Sequence, residues 1–240
     1  MANISVQYID HMGTDLSVVN AARVSFDKES WWENYKWGHP DFEKDYYLTK
    51  ADEKLISYLA KHNHKSPFNH AFATFRVKAP IFVARQLVKH EYMPWNEVSR
   101  RYVDSEPEFY IPDTWRKKAD NVKQGSSDEI VQGAQFGLLI DTYWNTNGVR
   151  EYGQIRLYEA CIEAYNDLLE RGVCAEQARM VLPQSMMTEW IWSGSLFAIA
   201  KMCKLRLDPH TQYETRLVAQ PIAEMMAELF PVSWKALMDV

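Results

Sequence analysis

Hydrophobic and polar positions along the chain follow two different periods, and each change of period marks an element. Ile4-Ser5-Val6-Gln7-Tyr8-Ile9 alternates strictly, as one half-buried strand would. Val18, Val19 and Ala22 then recur at helical spacing behind Asp15, an acceptable N-cap. Residues 27–47 keep no period despite Trp31, Trp32, Tyr35, Trp37, Tyr46 and Tyr47, and predict a loop-rich excursion. Helical spacing returns over 52–62 with Leu55, Ile56 and Leu59 on one face. Over 70–78, Phe72, Thr74 and Arg76 alternate with Ala73, Phe75 and Val77, which predicts a strand. Pro80 closes that strand and suits the first turn of a helix reaching about His90.

Beyond Trp115 the chain turns polar, and 116–132 predicts a mobile loop. Ile155, Ile162, Leu168 and Leu169 predict a long helix over 151–171, with Gly172 where a C-terminal cap belongs. A helical stretch over 175–181 ends before Pro183, and two more helices follow over 195–206 and 212–229. A few strands followed by several helices, with no internal repeat, imply an α+β fold: a mixed or antiparallel sheet flanked by helices, with a helical C-terminal half.

At 240 residues the chain suits one domain spanning 1–240. Its 47% apolar and 25% charged residues are those of a globular protein. A formal charge of −5 argues against a surface committed to duplex nucleic acid or anionic lipid. Cys161, Cys174 and Cys203 are too sparse for a disulfide framework or a CxxC metal site, and each reads as buried filler. No secretory leader and no apolar run near the roughly 18 residues of a membrane span is evident. A reducing, cytoplasmic location is expected.

The sign of the charge reverses locally. From Arg76 to Arg101 six cations face two carboxylates, an excess of four positive charges. Arginine forks suit phosphates and the edges of pyrimidines, and Ser99 and Arg101, two apart in an extended segment, can reach one phosphate together. A solvated helix end laced with salt bridges explains the same composition. His62, His64 and His70 match no usual zinc spacing, so no metal is expected there. Near the C-terminus, Arg179, Lys201, Lys204 and Arg206 precede an Asp208-Pro209-His210 turn. Arg206 either compensates a helix dipole or aims a guanidinium into a pocket.

The run Lys89-His90-Glu91-Tyr92-Met93-Pro94-Trp95-Asn96-Glu97-Val98-Ser99-Arg100-Arg101-Tyr102 resembles the RHRxxSxNExSxRY signature of the flavin-dependent thymidylate synthases. His90, Asn96, Glu97, Ser99, Arg101 and Tyr102 match it. Further blocks are similar in the same order: 19–26, 64–70, 80–86, 178–183 and 205–210. The resemblance implies that family's fold and its reaction, methylation of dUMP at C5. Methylenetetrahydrofolate is then the carbon donor and FAD, reduced by NADPH, the hydride carrier. It implies a homotetramer with active sites shared between subunits. It also implies a chemistry without a cysteine nucleophile and without a Rossmann domain, and no dinucleotide fingerprint is present. By matching position, Arg206 and Arg179 are the catalytic, pyrimidine-side arginines. Gln86, Glu97, Ser99 and Arg101 hold the nucleotide. Ser25, His64, Ser66, Lys89, His90, Glu91, Asn96, Ser195 and Lys201 contact the flavin.

The departures are specific. Lys89 and Glu91 replace the signature's first two arginines, and Pro94 replaces its first serine. Asn69 stands where relatives commonly carry Glu. Ser195, Phe197 and Lys201 stand where relatives often carry Asn, Arg, and Asn or His. Beside a pyrophosphate a misplaced unit charge is worth about 4 kcal/mol at 4 Å and an effective dielectric near 20. Glu91 therefore points away, pairs with a cation such as Lys89, or marks altered cofactor handling, and Lys201 can restore charge. These changes leave open a pyrimidine nucleotide hydroxymethylase, dCMP in place of dUMP, and a non-catalytic flavin- or nucleotide-binding homologue.

Overall fold

The computed structural model describes residues 2–34, 46–103, 105–120, 126–134, 139–146 and 149–240. Strand β1 (Ser5–Met12) leads into α1 (Asp15–Arg23). A two-residue ladder of β2 (Glu33–Asn34) and β3 (Tyr46–Tyr47) interrupts the aromatic excursion, whose residues 35–45 lie outside the described residues. Then come α2 (Lys50–Lys61), β4 (Phe72–Pro80), α3 (Ile81–Leu87) and β5 (Trp95–Glu97). Two hairpins follow, β6 (Arg116–Lys118) with β7 (Ser126–Ile130), and β8 (Leu139–Thr146) with β9 (Val149–Arg156). The chain continues through α4 (Leu157–Glu170), α5 (Ala175–Ala178), β10 (Met187–Ser195), α6 (Leu196–Arg206), α7 (Tyr213–Leu229) and α8 (Pro231–Met238). No helix among the described residues is long and apolar enough to cross a membrane.

The main sheet is antiparallel, in the order β1-β4-β10-β5. Its register sets Trp190 opposite Val77 and Trp192 opposite Phe75. Because side chains alternate between faces, these four share one face, and all are buried. Val18, Ile56, Phe68, Ile199, Met202, Ile222 and Phe230 join them in one core cluster, supplied by α1, α2, α6, α7 and the segments beside them. The opposite face is polar: Thr74 meets Ser193 at 2.9 Å, and Arg76 meets Glu189 at 3.3 Å. The α+β architecture, the antiparallel sheet and the helical C-terminal half match the sequence expectation.

Several elements depart from it, each because tertiary pairing outweighs local pattern. The helix expected over 151–171 starts at Leu157, since 149–156 pairs with 139–146. The dipeptide Asn147-Gly148, between those strands in sequence, is the strongest short hairpin signal. The segment 116–132 carries the β6–β7 hairpin, with Lys117 and Glu129 joined at 2.6 Å; its residues 121–125 lie outside the described residues. The helix expected to reach His90 ends at Leu87, followed by a turn containing Tyr92 at φ 61°. Neither β10 nor α8 was expected, although Trp190 and Trp192 alternate with Glu189, Ile191 and Ser193.

Asp15 does not cap its own helix. Thr14 is the N-cap of α1, and the buried Asp15 carboxylate accepts from the backbone N–H groups of Val232 (3.0 Å) and Ser233 (2.8 Å). It thereby caps α8 from the other end of the chain. Of the cysteines, Cys203 is buried, Cys161 is half-buried and Cys174 is exposed, which corrects the expectation of three buried fillers.

Candidate functional site

Helix α3 and the turn behind it bring Arg85, Gln86 and Lys89 to one wall of a chamber of about 590 Å³. Arg206, the last residue of α6, and His210, Gln212 and Glu214 form the facing wall. Among these lining residues Arg85, Lys89, Arg116 and Arg206 oppose a single carboxylate, Glu214. That carboxylate is engaged: Arg116 Nη2 donates to Glu214 Oε1 at 2.7 Å.

Arg206 is held at two points. Its Nε donates to His90 Nε2 at 2.9 Å and its Nη2 to the Gln86 carbonyl oxygen at 3.0 Å. Burial, then the charges of Arg206 and Lys201, push the His90 pKa down from 6.5 to about 4. His90 is therefore neutral at physiological pH and accepts at Nε2. The Gln86 amide is also occupied, donating to Gln212 Oε1 at 2.5 Å and accepting from Thr215 Oγ1 at 3.3 Å.

A second cleft, of about 470 Å³, holds Glu97, Arg100, Arg179, Thr188 and Glu189. Glu97 accepts from Thr188 Oγ1 at 2.7 Å and from Trp95 Nε1 at 3.1 Å, so both oxygens are oriented by the sheet. Beside it, Arg101 contacts Glu176 at 3.3 Å, and Arg179 donates to the Glu176 carbonyl oxygen at 3.3 Å. The Ser99 hydroxyl accepts from the Arg101 backbone N–H at 3.3 Å. The Arg101–Glu176 pair is half exposed, so holding it intact is worth little. Among the described residues the two clefts share no lining residue. The expected residues thus fall into two groups: Gln86, Lys89, His90 and Arg206 in one, and Glu97, Ser99, Arg101 and Arg179 in the other.

Residues expected to contact a flavin are spread more widely. Ser25 is exposed in the turn after α1, and His64 and Ser66 are exposed on the loop after α2. His62 stacks on Tyr58, with ring centroids 4.0 Å apart. Asn96 is exposed on β5, Glu91 is exposed in the turn and absent from the chamber wall, and Lys201 is exposed on α6. Ser195 is buried: its hydroxyl accepts from the Ala198 N–H at 3.2 Å, capping α6, and donates to Asn69 Oδ1 at 2.7 Å. Two departures from the family pattern, Asn69 and Ser195, therefore satisfy one another. A third, Phe197, lies under the Lys65 ammonium at 5.5 Å, where an arginine would set two cations together.

Sequence reasoning missed Arg116, Glu214, Gln212 and Thr188. Nothing local distinguishes them; long-range packing alone brings them to the clefts. Arg116 and Glu214 also border a third cavity of about 310 Å³, lined by Phe82, Phe109, Tyr110 and Trp115. Burial, with the Glu214 charge, pushes the Tyr110 hydroxyl up to about 12.

Residues 7–232 match the family model of the thymidylate synthase complementing proteins. A flavin-dependent thymidylate synthase of Thermus thermophilus is 38% identical over 231 residues, covering 96% of this chain and 74% of that protein. One from Kosmotoga olearia is 36% identical over 236 residues, covering 98% and 90%. The crystal structure of a UMP/dUMP methylase, PolB from Streptomyces cacaoi, bound with 5-Br dUMP, superposes with a TM-score of 0.74 at 28% identity, covering 99% of this chain and 96% of that one.

Proposed function

Since the chain belongs to the flavin-dependent thymidylate synthase family, we propose that it converts dUMP to dTMP by reductive methylation. Methylenetetrahydrofolate supplies the carbon and NADPH the reducing equivalents. The observation that carries this reading is the doubly anchored Arg206 at the wall of a cationic chamber. C5 of uracil becomes nucleophilic when negative charge on N3, C4 and O4 is stabilised, and a preorganised guanidinium in a partly desolvated pocket does this. Arg206 takes that role, and Gln86 lies beside it to orient the nucleotide. Arg179 serves the pyrimidine from the second group, where Glu97, Ser99 and Arg101 hold the sugar and phosphate.

The donor set fits FAD. Arg85 and Lys89 suit a pyrophosphate, Glu214 is neutralised by Arg116, and Glu91, the reversed charge of the signature, stays off the chamber wall. Ser25, His64, Ser66, Lys89, Asn96, Ser195 and Lys201 remain the flavin-side candidates, with Ser195 acting through Asn69 and the α6 cap; His90 leaves that set because its Nε2 is taken by Arg206. When bound, FAD supplies the hydride. Because the two clefts have no residue in common among the described residues, we assign completion of the site to neighbouring copies in a homotetramer. Three unpaired thiols support a reducing, cytoplasmic setting.

The test is one incubation of enzyme and FAD with methylenetetrahydrofolate, NADPH and either dUMP, UMP or dCMP, read by mass spectrometry. A methylated dUMP product, lost in Arg206→Ala while flavin stays bound, is the expected result. A hydroxymethylated product, no product, or turnover in Arg206→Ala near wild type overturns the assignment. Native mass spectrometry reads the tetramer independently.

A further inference from the structure

A guanidinium that stabilises a developing charge has to be aimed before the charge appears, because reorienting it costs what the interaction would gain. Arg206 occupies the last turn of α6, where the helix backbone places the Cα but leaves a long side chain with its torsional freedom. Two contacts remove that freedom. The Nε–H is held by His90 Nε2 at 2.9 Å, and Nη2 by the Gln86 carbonyl oxygen at 3.0 Å. Of the five N–H groups of a guanidinium this leaves three for the chamber.

We infer that His90 is the positioning residue for Arg206, fixing the plane of its guanidinium through an imidazole that accepts from it at Nε2. This rests on the role of Arg206 proposed above. An imidazole can accept at Nε2 only when neutral, with its proton on Nδ1. Burial, and then the Arg206 and Lys201 charges on α6, disfavour a second cation there. Lys89 adjoins it on its own turn and Glu91 is exposed on the other side, while the Trp192 ring lies 6.4 Å away. The His90 backbone is fixed as well, its N–H donating to the Leu87 carbonyl oxygen at 3.1 Å. His90 Nε2 is thereby committed to arginine, so a cofactor can be met only by Nδ1–H or by the ring face.

The test uses the FAD-loaded enzyme and four variants: His90→Leu, His90→Gln, Arg206→Ala, and the double His90→Leu/Arg206→Ala. His90→Leu lowers kcat for dUMP about 100-fold, the order of loss for a misaimed group, while KM and bound flavin change little. His90→Gln, which keeps an acceptor, recovers about tenfold of that loss. In the Arg206→Ala background, His90→Leu has no further effect, because the pair acts as one unit. Multiplying losses in the double variant, or flavin loss as the main effect of His90→Leu, overturns the inference. So does a His90→Gln no better than His90→Leu. The imidazole titration, followed by nuclear magnetic resonance, reads the contact without turnover. In the wild type His90 stays neutral down to about pH 4, and Arg206→Ala moves its titration toward 6.5. If dUMP is not methylated at all, the functional reading fails, yet an unmoved titration in Arg206→Ala would still refute the pairing by itself.

Discussion

Arg116 ties the β6–β7 hairpin to the start of α7, and its replacement by methionine isolates what that tie is worth. Its Nη2 lies 2.7 Å from Glu214 Oε1, its Nε donates to Ser126 Oγ at 2.9 Å, and its guanidinium lies 4.6 Å from the Tyr213 ring centroid. The two side chains are unequally buried, at 19% exposure for Arg116 and 6% for Glu214. Arg116→Met leaves a buried carboxylate without its cation, which costs about 3–5 kcal/mol. For a chain of this size that lowers Tm by about 6–20 °C. Glu214→Met is milder, about 1–2 kcal/mol, because the less buried guanidinium can turn toward solvent. The double Arg116→Met/Glu214→Met removes both charges together and recovers most of the loss, since desolvation offsets much of the attraction. Thermal and urea unfolding of the four proteins closes the double-mutant cycle. A double variant whose loss equals the sum of the singles, or an Arg116→Met loss below about 1 kcal/mol, refutes the reasoning. Glu214→Met carries a second readout: with the guanidinium uncompensated, pyrophosphate should bind the chamber more tightly, and more so at low salt.

Two further outcomes follow from groups whose partners are distant in sequence. Asp15→Ala removes two charge-assisted hydrogen bonds from the N-terminus of α8 and should cost about 2–4 kcal/mol, read by urea unfolding; a loss below 0.5 kcal/mol would show that solvent caps α8 as well. His90 titrates lower in the folded protein than in the unfolded chain, so between about pH 6.5 and pH 4 the unfolded chain holds more protons. Stability should therefore fall as pH drops through that window, and His90→Gln should flatten the fall; an equal slope in both proteins would contradict the neutral, acceptor imidazole.

Local pattern was legible wherever an element buries one face against a fixed neighbour. Val18 and Val19 on α1, Ile56 and Leu59 on α2, and Phe75 and Val77 on β4 all proved buried as their periods required. The same rule, applied to Trp190 and Trp192, would have found β10. The pocket chemistry was legible by type: Gln86, Lys89, His90 and Arg206 do meet at one site. Their partners were not. Gln212 and Thr215, which hold Gln86, and the Arg116–Glu214 pair on the chamber wall come from segments whose local sequence carries no binding pattern.

Residue order alone thus determined the fold class, the core faces of the principal helices and strands, and the cationic character of the site. Only tertiary structure decided that Asp15 caps α8 instead of α1, that Asn69 and Ser195 satisfy each other, and that the expected nucleotide residues divide between two clefts. Periodicity is a short-range property, imposed by 3.6 or 2 residues per repeat. Which donor meets which acceptor depends on contacts more than 100 residues apart, such as Arg206 with His90 and Ser195 with Asn69, and no local period encodes those pairings.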